Sequence, residues 1–265
     1  PMKTLWIESG KDKMSLQSIK HSDCITTTTP KLAKTFGNFN DNVNIFPNHF
    51  DWDLPQWNYD KNEVRKEMLG DWFPTDDKII IGWAGLTSHF EDIKRMAPIM
   101  KAIHDKYPNT YFILSGMALK DTAVEITEDE QGNKKFEEKE IEDKSMTYKG
   151  RIEALFADID PNRMKIFDAL PLEEYGKFYA LYDISMAYIE HNTFASCKSE
   201  IKVVESARYG CIPVFSNFGG YKTMADQVPS SISLKGFAID FTTPKAWINA
   251  ISSHIDNYDE TKKRA

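Results

Sequence analysis

Short apolar runs alternate with helical patterns along most of the chain. Six runs have the length and the β-branched or aromatic character of buried strands, at residues 78–83, 110–115, 164–167, 183–189, 212–215 and 237–240. Between them lie stretches with apolar residues at helical spacing. Continuous apolar strands separated by helices predict an α/β fold, a doubly wound, Rossmann-like parallel sheet covered on both faces.

The helical patterns identify the residues that should face the core. In the stretch 91–104 the predicted inward stripe comprises Ile93, Met96, Ala97, Met100 and Ile103. A helix is predicted from Pro171 through Tyr182, and another over 199–209, ended by Gly210, with Ile201, Val204 and Ala207 inward. The last helix opens at Pro244 and should bury Trp247, Ile248, Ile251 and Ile255.

Two segments interrupt this alternation. Residues 1–46 have too few strand patterns for a domain, and they are interpreted as the end of a preceding domain, followed by the domain of the sheet at 47–265. The segment at about 119–152 is densely charged, and a hairpin turn is predicted at Glu130–Asn133. It is interpreted as an exposed insertion or flexible arm.

Composition narrows the function classes. The chain of 265 residues carries 33 basic and 40 acidic side chains, for a net charge of −7, which disfavours broad nucleic-acid binding. Three cysteines do not form an even disulfide framework, and no apolar run is long enough for a membrane span. No leader peptide is recognisable at the N-terminus. These features together predict a cytoplasmic globular protein.

The loop after the first predicted strand contains candidate anion-binding groups. Gly85 would let the backbone approach a ligand closely, and Thr87, Ser88 and His89 supply donors just before a helix N-terminus. A turn glycine followed by ordinary helix capping by Thr or Ser explains the same residues.

The segment 198–205 is a second candidate site. Lys198 and Lys202 fall in the first turn of the predicted helix, where the helix dipole disfavours positive charge unless a phosphate is bound. Glu205 could accept hydrogen bonds from vicinal hydroxyls of a sugar or ribose. The alternatives are a solvated helix end with mixed charges, and a structural ion pair of Glu205 with Lys202 or Arg208.

The sequence contains no metal-binding motif of the HExxH or CxxC kind. The six histidines show no HExxH-like spacing, and the cysteines show no CxxC spacing. Neither a metal nor a resident cofactor is expected.

Three motifs resemble one enzyme family. Residues 46–51, Phe-Pro-Asn-His-Phe-Asp, resemble the hinge between the halves of a GT-B glycosyltransferase, in the nucleotide-sugar-dependent family that also resembles glycogen synthase. Residues 81–85 with Thr87 and His89 resemble that family's first donor-domain strand and diphosphate loop. The most specific match is the signature Phe-x-x-x-Lys-Ser-x-x-Lys-x-x-Glu at 194–205. The resemblance covers about residues 20–257 and implies the donor-binding C-terminal half, with most of the N-terminal acceptor domain absent.

The resemblance implies a role for each site residue. Lys202 would support the donor diphosphate, Glu205 would hold the ribose, and Glu190 would lie towards the sugar. The backbone at Leu170, in the loop 168–171, would face the base. The residues around the diphosphate itself would be Gly85, Thr87, His89, Lys198 and Ser199. A Glu-x7-Glu pair is common in the family, and Cys197 stands at its first position.

The predicted function is therefore glycosyl transfer, with retention of configuration, from a UDP- or GDP-linked sugar to an unidentified acceptor. Lys198, Glu205 and Glu190 are the predicted catalytic residues, and no cofactor beyond the donor substrate is implied. If the native chain begins at Met2, a partner chain should supply the acceptor domain. The alternative is a non-catalytic nucleotide-sugar-binding or assembly module that kept the donor fold.

Overall fold

The computed structural model of the protein describes residues 10–72, 78–117, 119, 122–128, 134–229, 236–240 and 243–264. Its strands are β1 (Ile25–Thr27), β2 (Val43–Ile45), β3 (Ile79–Ala84), β4 (Thr110–Met117), β5 (Thr122–Glu128), β6 (Lys134–Glu140), β7 (Met164–Asp168), β8 (Ile184–Ala187), β9 (Ile212–Ser216) and β10 (Ala238–Ile239). Its helices are α1 (Lys11–His21), α2 (Pro30–Phe36), α3 (Lys61–Leu69), α4 (Phe90–Lys106), α5 (Tyr148–Leu155), α6 (Lys177–Leu181), α7 (Ile201–Ala207), α8 (Gly219–Gln227), α9 (Pro244–Asp256) and α10 (Tyr258–Arg264).

The central sheet has six parallel strands in the order β10-β9-β8-β3-β4-β7. From β3 the chain continues to β4 on one side, whereas from β8 it continues to β9 on the other. This arrangement confirms the predicted doubly wound α/β fold. It also places a topological switch point between β3 and β8, where ligands bind beyond the carboxyl ends of the strands.

Alternation along β3 divides the core into two layers. Ile79, Ile81 and Trp83 face the larger cluster, which includes α4 and α9, whereas Ile80 and Ala84 face the cluster built with α3 and α6. All six residues of β3 are buried, as a strand covered on both faces requires. The predicted stripe of α4 is buried from Ile93 to Ile103, and of the predicted residues of α9 Trp247, Ile251 and Ile255 are buried and Ile248 is half-buried.

The prediction of one continuous helix from Pro171 to Tyr182 is wrong. A short 3-10 turn at Leu172–Glu174 precedes α6, and Gly176 lies between them. A Cβ atom on Gly176 would lie 1.9 Å from the carbonyl oxygen of Gln56. The chain is therefore pressed against the 3-10 turn at Pro55–Trp57, and tertiary contact at this point accompanies the break in the helix.

The charged segment contains a hairpin. Strands β5 and β6 pair antiparallel from Thr122 opposite Glu140 to Glu128 opposite Lys134. The predicted turn residues Glu130–Asn133 lie outside the described residues. Beyond the hairpin, α5 buries Ile152 completely in the larger core cluster, so the end of the 119–152 segment is part of the folded core.

The N-terminal part forms a small unit of its own. Strands β1 and β2 pair in parallel around α2, whose first residue is Pro30. Helix α1 has no buried residue. Across the described ranges, none of the helices combines the length and the apolar character that a membrane span requires.

Candidate functional site

The loops that follow β3 and β8 meet at the switch point of the sheet. Gly85 and His89 follow β3, and the segment 190–200 follows β8. The two strands are neighbours, with Ile81 opposite Ile184. The fold therefore brings together the two segments that the sequence marked independently as anion-binding candidates.

Lys202 lies directly under the first loop. Its Nζ donates to the carbonyl oxygen of Ala84 at 2.6 Å and lies 4.5 Å from the centre of the Trp83 ring. A Cβ atom on Gly85 would lie 2.9 Å from this Nζ and 2.5 Å from the Trp83 ring. Gly85 is thus required by the close approach of Lys202 and Trp83.

His89 connects Lys198 to a buried carboxylate. The Lys198 Nζ lies 3.3 Å from His89 Nε2 and 3.4 Å from Nδ1, and His89 Nδ1 is 2.6 Å from Asp92 Oδ2. The second oxygen of Asp92 accepts the backbone N–H of Glu190 at 2.8 Å. We name the three basic side chains His89, Lys198 and Lys202 the basic cluster.

The surroundings of the basic cluster lower the pKa values of its three side chains. Burial lowers the pKa of Lys202 to about 8, and the charge of Lys198 adds to this effect. Burial also lowers the pKa of Lys198. For His89, burial lowers the pKa, the Asp92 hydrogen bond raises it, and the charges of Lys202 and Lys198 lower it further. A bound anion would raise these pKa values again, because it stabilises the charged forms.

Helix α7 begins later than predicted. It runs from Ile201 to Ala207, so Lys198 lies before the helix in extended conformation and only Lys202 is in the first turn. The predicted inward stripe is also wrong, since the buried residues are Val203, Glu205 and Ser206. Before α7, the residues Ala195–Cys197 form a 3-10 turn, which the sequence pattern does not predict.

Glu205 points into the protein. Its Oε2 accepts the hydroxyl groups of Tyr179 at 2.7 Å and Tyr175 at 3.4 Å, and the residue is 8% exposed. Burial raises its pKa, whereas the Tyr179 hydrogen bond and the charge of Lys202 lower it. The alternative of an ion pair with Arg208 is not realised, because Arg208 donates to the Trp57 carbonyl and to Asn58 Oδ1.

Two hydrogen bonds join the N-terminal residues to this site. Asn48 Nδ2 donates to Ser199 Oγ at 2.6 Å, and α7, whose N-cap is Glu200, has no side-chain capping hydrogen bond. Thr29 Oγ1 donates to the carbonyl oxygen of Cys197 at 3.0 Å. A cleft of about 170 Å³ lies beside these contacts, between residues 28–47 and helix α8.

Three further predicted residues, Glu190, Thr87 and Leu170, have contacts of their own. The carboxylate of Glu190 is bonded to Arg95 at 3.4 Å and to Asn192 at 3.2 Å. Thr87 is half-buried in a 3-10 turn without a capping hydrogen bond, so the capping alternative is not realised. Leu170 packs against the smaller core cluster, on the side of the tyrosines that bind Glu205.

Sequence reasoning missed Asp92, Trp83 and Tyr179. Asp92 was detectable, because His89 and Asp92 have the i, i+3 spacing of neighbours on a helical turn. Trp83 and Tyr179 looked like ordinary core residues, and only their contacts with Lys202 and Glu205 reveal more. In the part of the chain that the structure describes, no group of three or more His, Cys, Asp or Glu side chains could hold a metal ion.

Comparison with known proteins identifies the fold. Anabaena HepE, in complex with UDP and glucose, superposes with a TM-score of 0.60 at 16% identity over 93% of this chain and 57% of its own. Sucrose-phosphate synthase from Thermosynechococcus elongatus superposes with a TM-score of 0.56 at 12% identity, over 94% of this chain and 55% of its own. The fold is that of a GT-B glycosyltransferase domain.

The same comparisons delimit what the likeness covers. The catalytic domain of starch synthase IV from Arabidopsis thaliana, bound to ADP and acarbose, has a TM-score of 0.57 at 14% identity over 94% of this chain and 52% of its own. The chain thus spans about half the length of the solved structures it matches. A scan against protein families finds no match, and no curated protein sequence matches either.

Proposed function

We propose that this chain is the nucleotide-sugar-binding part of a glycosyltransferase and that the basic cluster binds the donor diphosphate. The observation that carries the proposal is the convergence of His89, Lys198 and Lys202 at the switch point between β3 and β8, in a protein of net charge −7. Charge-assisted hydrogen bonds from such groups are among the strongest that a phosphate can receive.

The chemistry suits glycosyl transfer without a metal. The bond between the anomeric carbon and the diphosphate oxygen breaks, and its electron pair leaves with the diphosphate. Lys198, Lys202 and His89 would stabilise this developing charge, and Glu190 would lie towards the sugar. The acceptor hydroxyl forms the new bond, and its proton passes to the leaving diphosphate. Retention of configuration, a UDP- or GDP-linked donor and a cytoplasmic location belong to this proposal.

Nucleotide titration tests the site. UDP, GDP and ADP are titrated calorimetrically into wild type, Lys198→Ala and the control Lys222→Ala, whose exposed lysine pairs with Asp226 on α8. Lys198→Ala should weaken diphosphate binding by about tenfold to a hundredfold, since each charge-assisted bond contributes about 1.5–3 kcal/mol. The control should bind as wild type does. A lower melting temperature of Lys198→Ala with unchanged affinity would show that the lysine is structural.

A specific observation favours a second candidate, the non-catalytic nucleotide-sugar-binding module. Cys197 stands where the resembled family commonly has a glutamate, and its backbone carbonyl is engaged by Thr29. Release of free nucleotide from UDP- and GDP-sugars separates the two candidates. Measurable release that Glu190→Gln abolishes without loss of nucleotide affinity supports the enzyme, and tight binding without release supports the module.

A further inference from the structure

Asp92 occupies a position that links the two halves of the candidate site. It lies in the first turn of α4 and is 7% exposed. One carboxylate oxygen is bonded to His89 Nδ1 and the other accepts the Glu190 backbone N–H. Within the described residues, no ion pair of Asp92 with a lysine or arginine accompanies these contacts. A buried carboxylate held by one imidazole and one amide has a defined geometry and little freedom to reorient.

This geometry determines the tautomer of His89. An ionised Asp92 accepts the Nδ1–H, so in neutral His89 the lone pair is on Nε2. The Lys198 Nζ lies 3.3 Å from Nε2 and 3.4 Å from Nδ1, so a diphosphate bound to Lys198 would lie close to the ring, where Nε2 is the nitrogen that does not face Asp92. A lone pair cannot donate to a phosphate oxygen. A diphosphate at this position therefore meets a nitrogen that must first acquire a proton.

We propose that Asp92 is a positioning residue that holds Nε2 of His89 towards the donor diphosphate, so that His89 takes up one proton from solvent and donates it in a hydrogen bond when the diphosphate binds. This inference rests on the proposed function, since it concerns the same ligand. It makes binding of the donor proton-linked and gives Asp92 a role in the candidate site.

The charges around His89 support this behaviour. Lys198 faces the His89 ring from the segment before α7, and Lys202 lies on α7. Asp92 lies on α4. The centre of the Trp83 ring, on β3, is 5.6 Å from the centre of the His89 ring. Glu190 contributes its backbone to Asp92, and its carboxylate is bonded to Arg95. Burial and both lysines lower the pKa of His89, so the ring is mostly neutral near pH 7 before an anion enters.

Two variants separate positioning from a merely structural role. In Asp92→Asn the amide oxygen would keep the Glu190 N–H, and the amide NH₂ would donate to Nδ1, which moves the ring proton to Nε2. His89→Gln would supply a permanent N–H donor. Both variants should bind diphosphate more weakly than wild type, because a neutral donor replaces a charged one, and without the proton that His89 takes up. Glu91→Gln, an exposed neighbour in the same turn, is the control.

Calorimetry in two non-phosphate buffers of different ionisation enthalpy counts the protons. The probes are UDP, GDP, ADP and inorganic pyrophosphate near pH 7, with thermal melts of every variant. Terminal phosphates titrate in this range with a pKa of about 6 and can take up protons themselves. The proton uptake of wild type is therefore compared with the proton uptake of each variant. Wild type and Glu91→Gln should take up about one half to one proton more than His89→Gln and Asp92→Asn.

Each outcome bears on one hypothesis. Equal proton uptake by wild type and His89→Gln would overturn the inference, as would an Asp92→Asn protein that binds more than tenfold weaker with undiminished uptake. If Asp92→Asn does not fold, His89→Gln still decides. Failure of wild type to bind any of the four probes would instead refute the proposed function.

Discussion

Lys202 carries a charge that is costly to the fold and that the proposed diphosphate site would use. Its ammonium is held between the Ala84 carbonyl and the Trp83 ring, where its pKa falls to about 8. The ordinary lysine value of 10.5 applies to the unfolded chain. Charged Lys202 therefore opposes folding, and a bound phosphate would reverse the sign of this contribution.

Replacing Lys202 by Met should stabilise the ligand-free protein. Between pH 8 and 10.5 the unfolded chain binds the proton that the folded chain has released, so wild-type stability rises with pH in this window. Below pH 8 the full penalty applies, and Lys202→Met should be more stable by about 1–3 kcal/mol, after loss of the Ala84 hydrogen bond. Urea denaturation from pH 7 to 10.5 measures the difference, which should shrink towards high pH. A variant that is less stable at pH 7 would contradict this account.

At the scale of the element, α7 illustrates a register decided by contacts. The helix has seven residues, too few to be stable alone, so its packing determines which side faces inward. Val203 and Glu205 are turned to the core, whereas Val204 is half-buried and Ala207 is exposed. The inward position of Glu205 follows from this register, and so does its contact with Tyr179.

A matched pair of substitutions tests the register. Val203→Ala should lower the free energy of unfolding by about 1.5–2.5 kcal/mol, whereas Val204→Ala should cost less than about 1 kcal/mol. Both changes gain the same helix propensity, so their difference reports burial alone. Chemical denaturation of the two variants measures it. Equal costs, or a larger cost at Val204, would support the register predicted from the sequence instead.

The β5–β6 hairpin is the second element with a testable prediction. Thr122 and Glu140 are directly paired, and such residues have Cα atoms about 5 Å apart, so a short Gly-Ser turn can close the chain at this point. Replacement of 122–140 should leave solubility intact and nucleotide affinity within about twofold, because α5 and its buried Ile152 remain. A tenfold loss of affinity by calorimetry would place the hairpin in the site.

At the scale of the whole molecule, the N-terminal unit and the sheet meet at the candidate site. Asn48 and Thr29 reach the segment 197–199, so residues distant in sequence share one surface. Because Asn48 donates to Ser199 Oγ, the Ser199 hydroxyl proton stays available to a ligand. Asn48 thus orients Ser199, a residue that the resemblance assigns to the diphosphate.

Asn48→Ala should weaken diphosphate binding without unfolding the protein. Loss of one exposed hydrogen bond lets the Ser199 side chain rotate, and we expect a twofold to tenfold weaker affinity, equivalent to about 0.4–1.4 kcal/mol. Asn44→Ala, an exposed asparagine of β2, is the control. Calorimetric titration with UDP and GDP measures both. Wild-type affinity of Asn48→Ala would show that Asn48 does not act on the site.

The sequence by itself determined the layered architecture. The apolar runs of β3, β4 and β8 and the stripe of α4 are local patterns, and burial of those residues follows directly from their spacing. Gly85, His89, Lys198 and Lys202 were also recognisable, because their residue types and loop positions suit an anion wherever the strands meet. Such features depend on neighbours within a few residues.

Only the tertiary structure decided how these parts meet. His89 and Lys198 are 109 positions apart, and the Tyr179–Glu205 contact joins α6 to α7. The adjacency of β3 and β8, the shifted register of α7 and the contact of Asp92 with the Glu190 backbone result from long-range packing. A short helix or a lone carboxylate has too little local preference to specify its own partner, so the surrounding core imposes it.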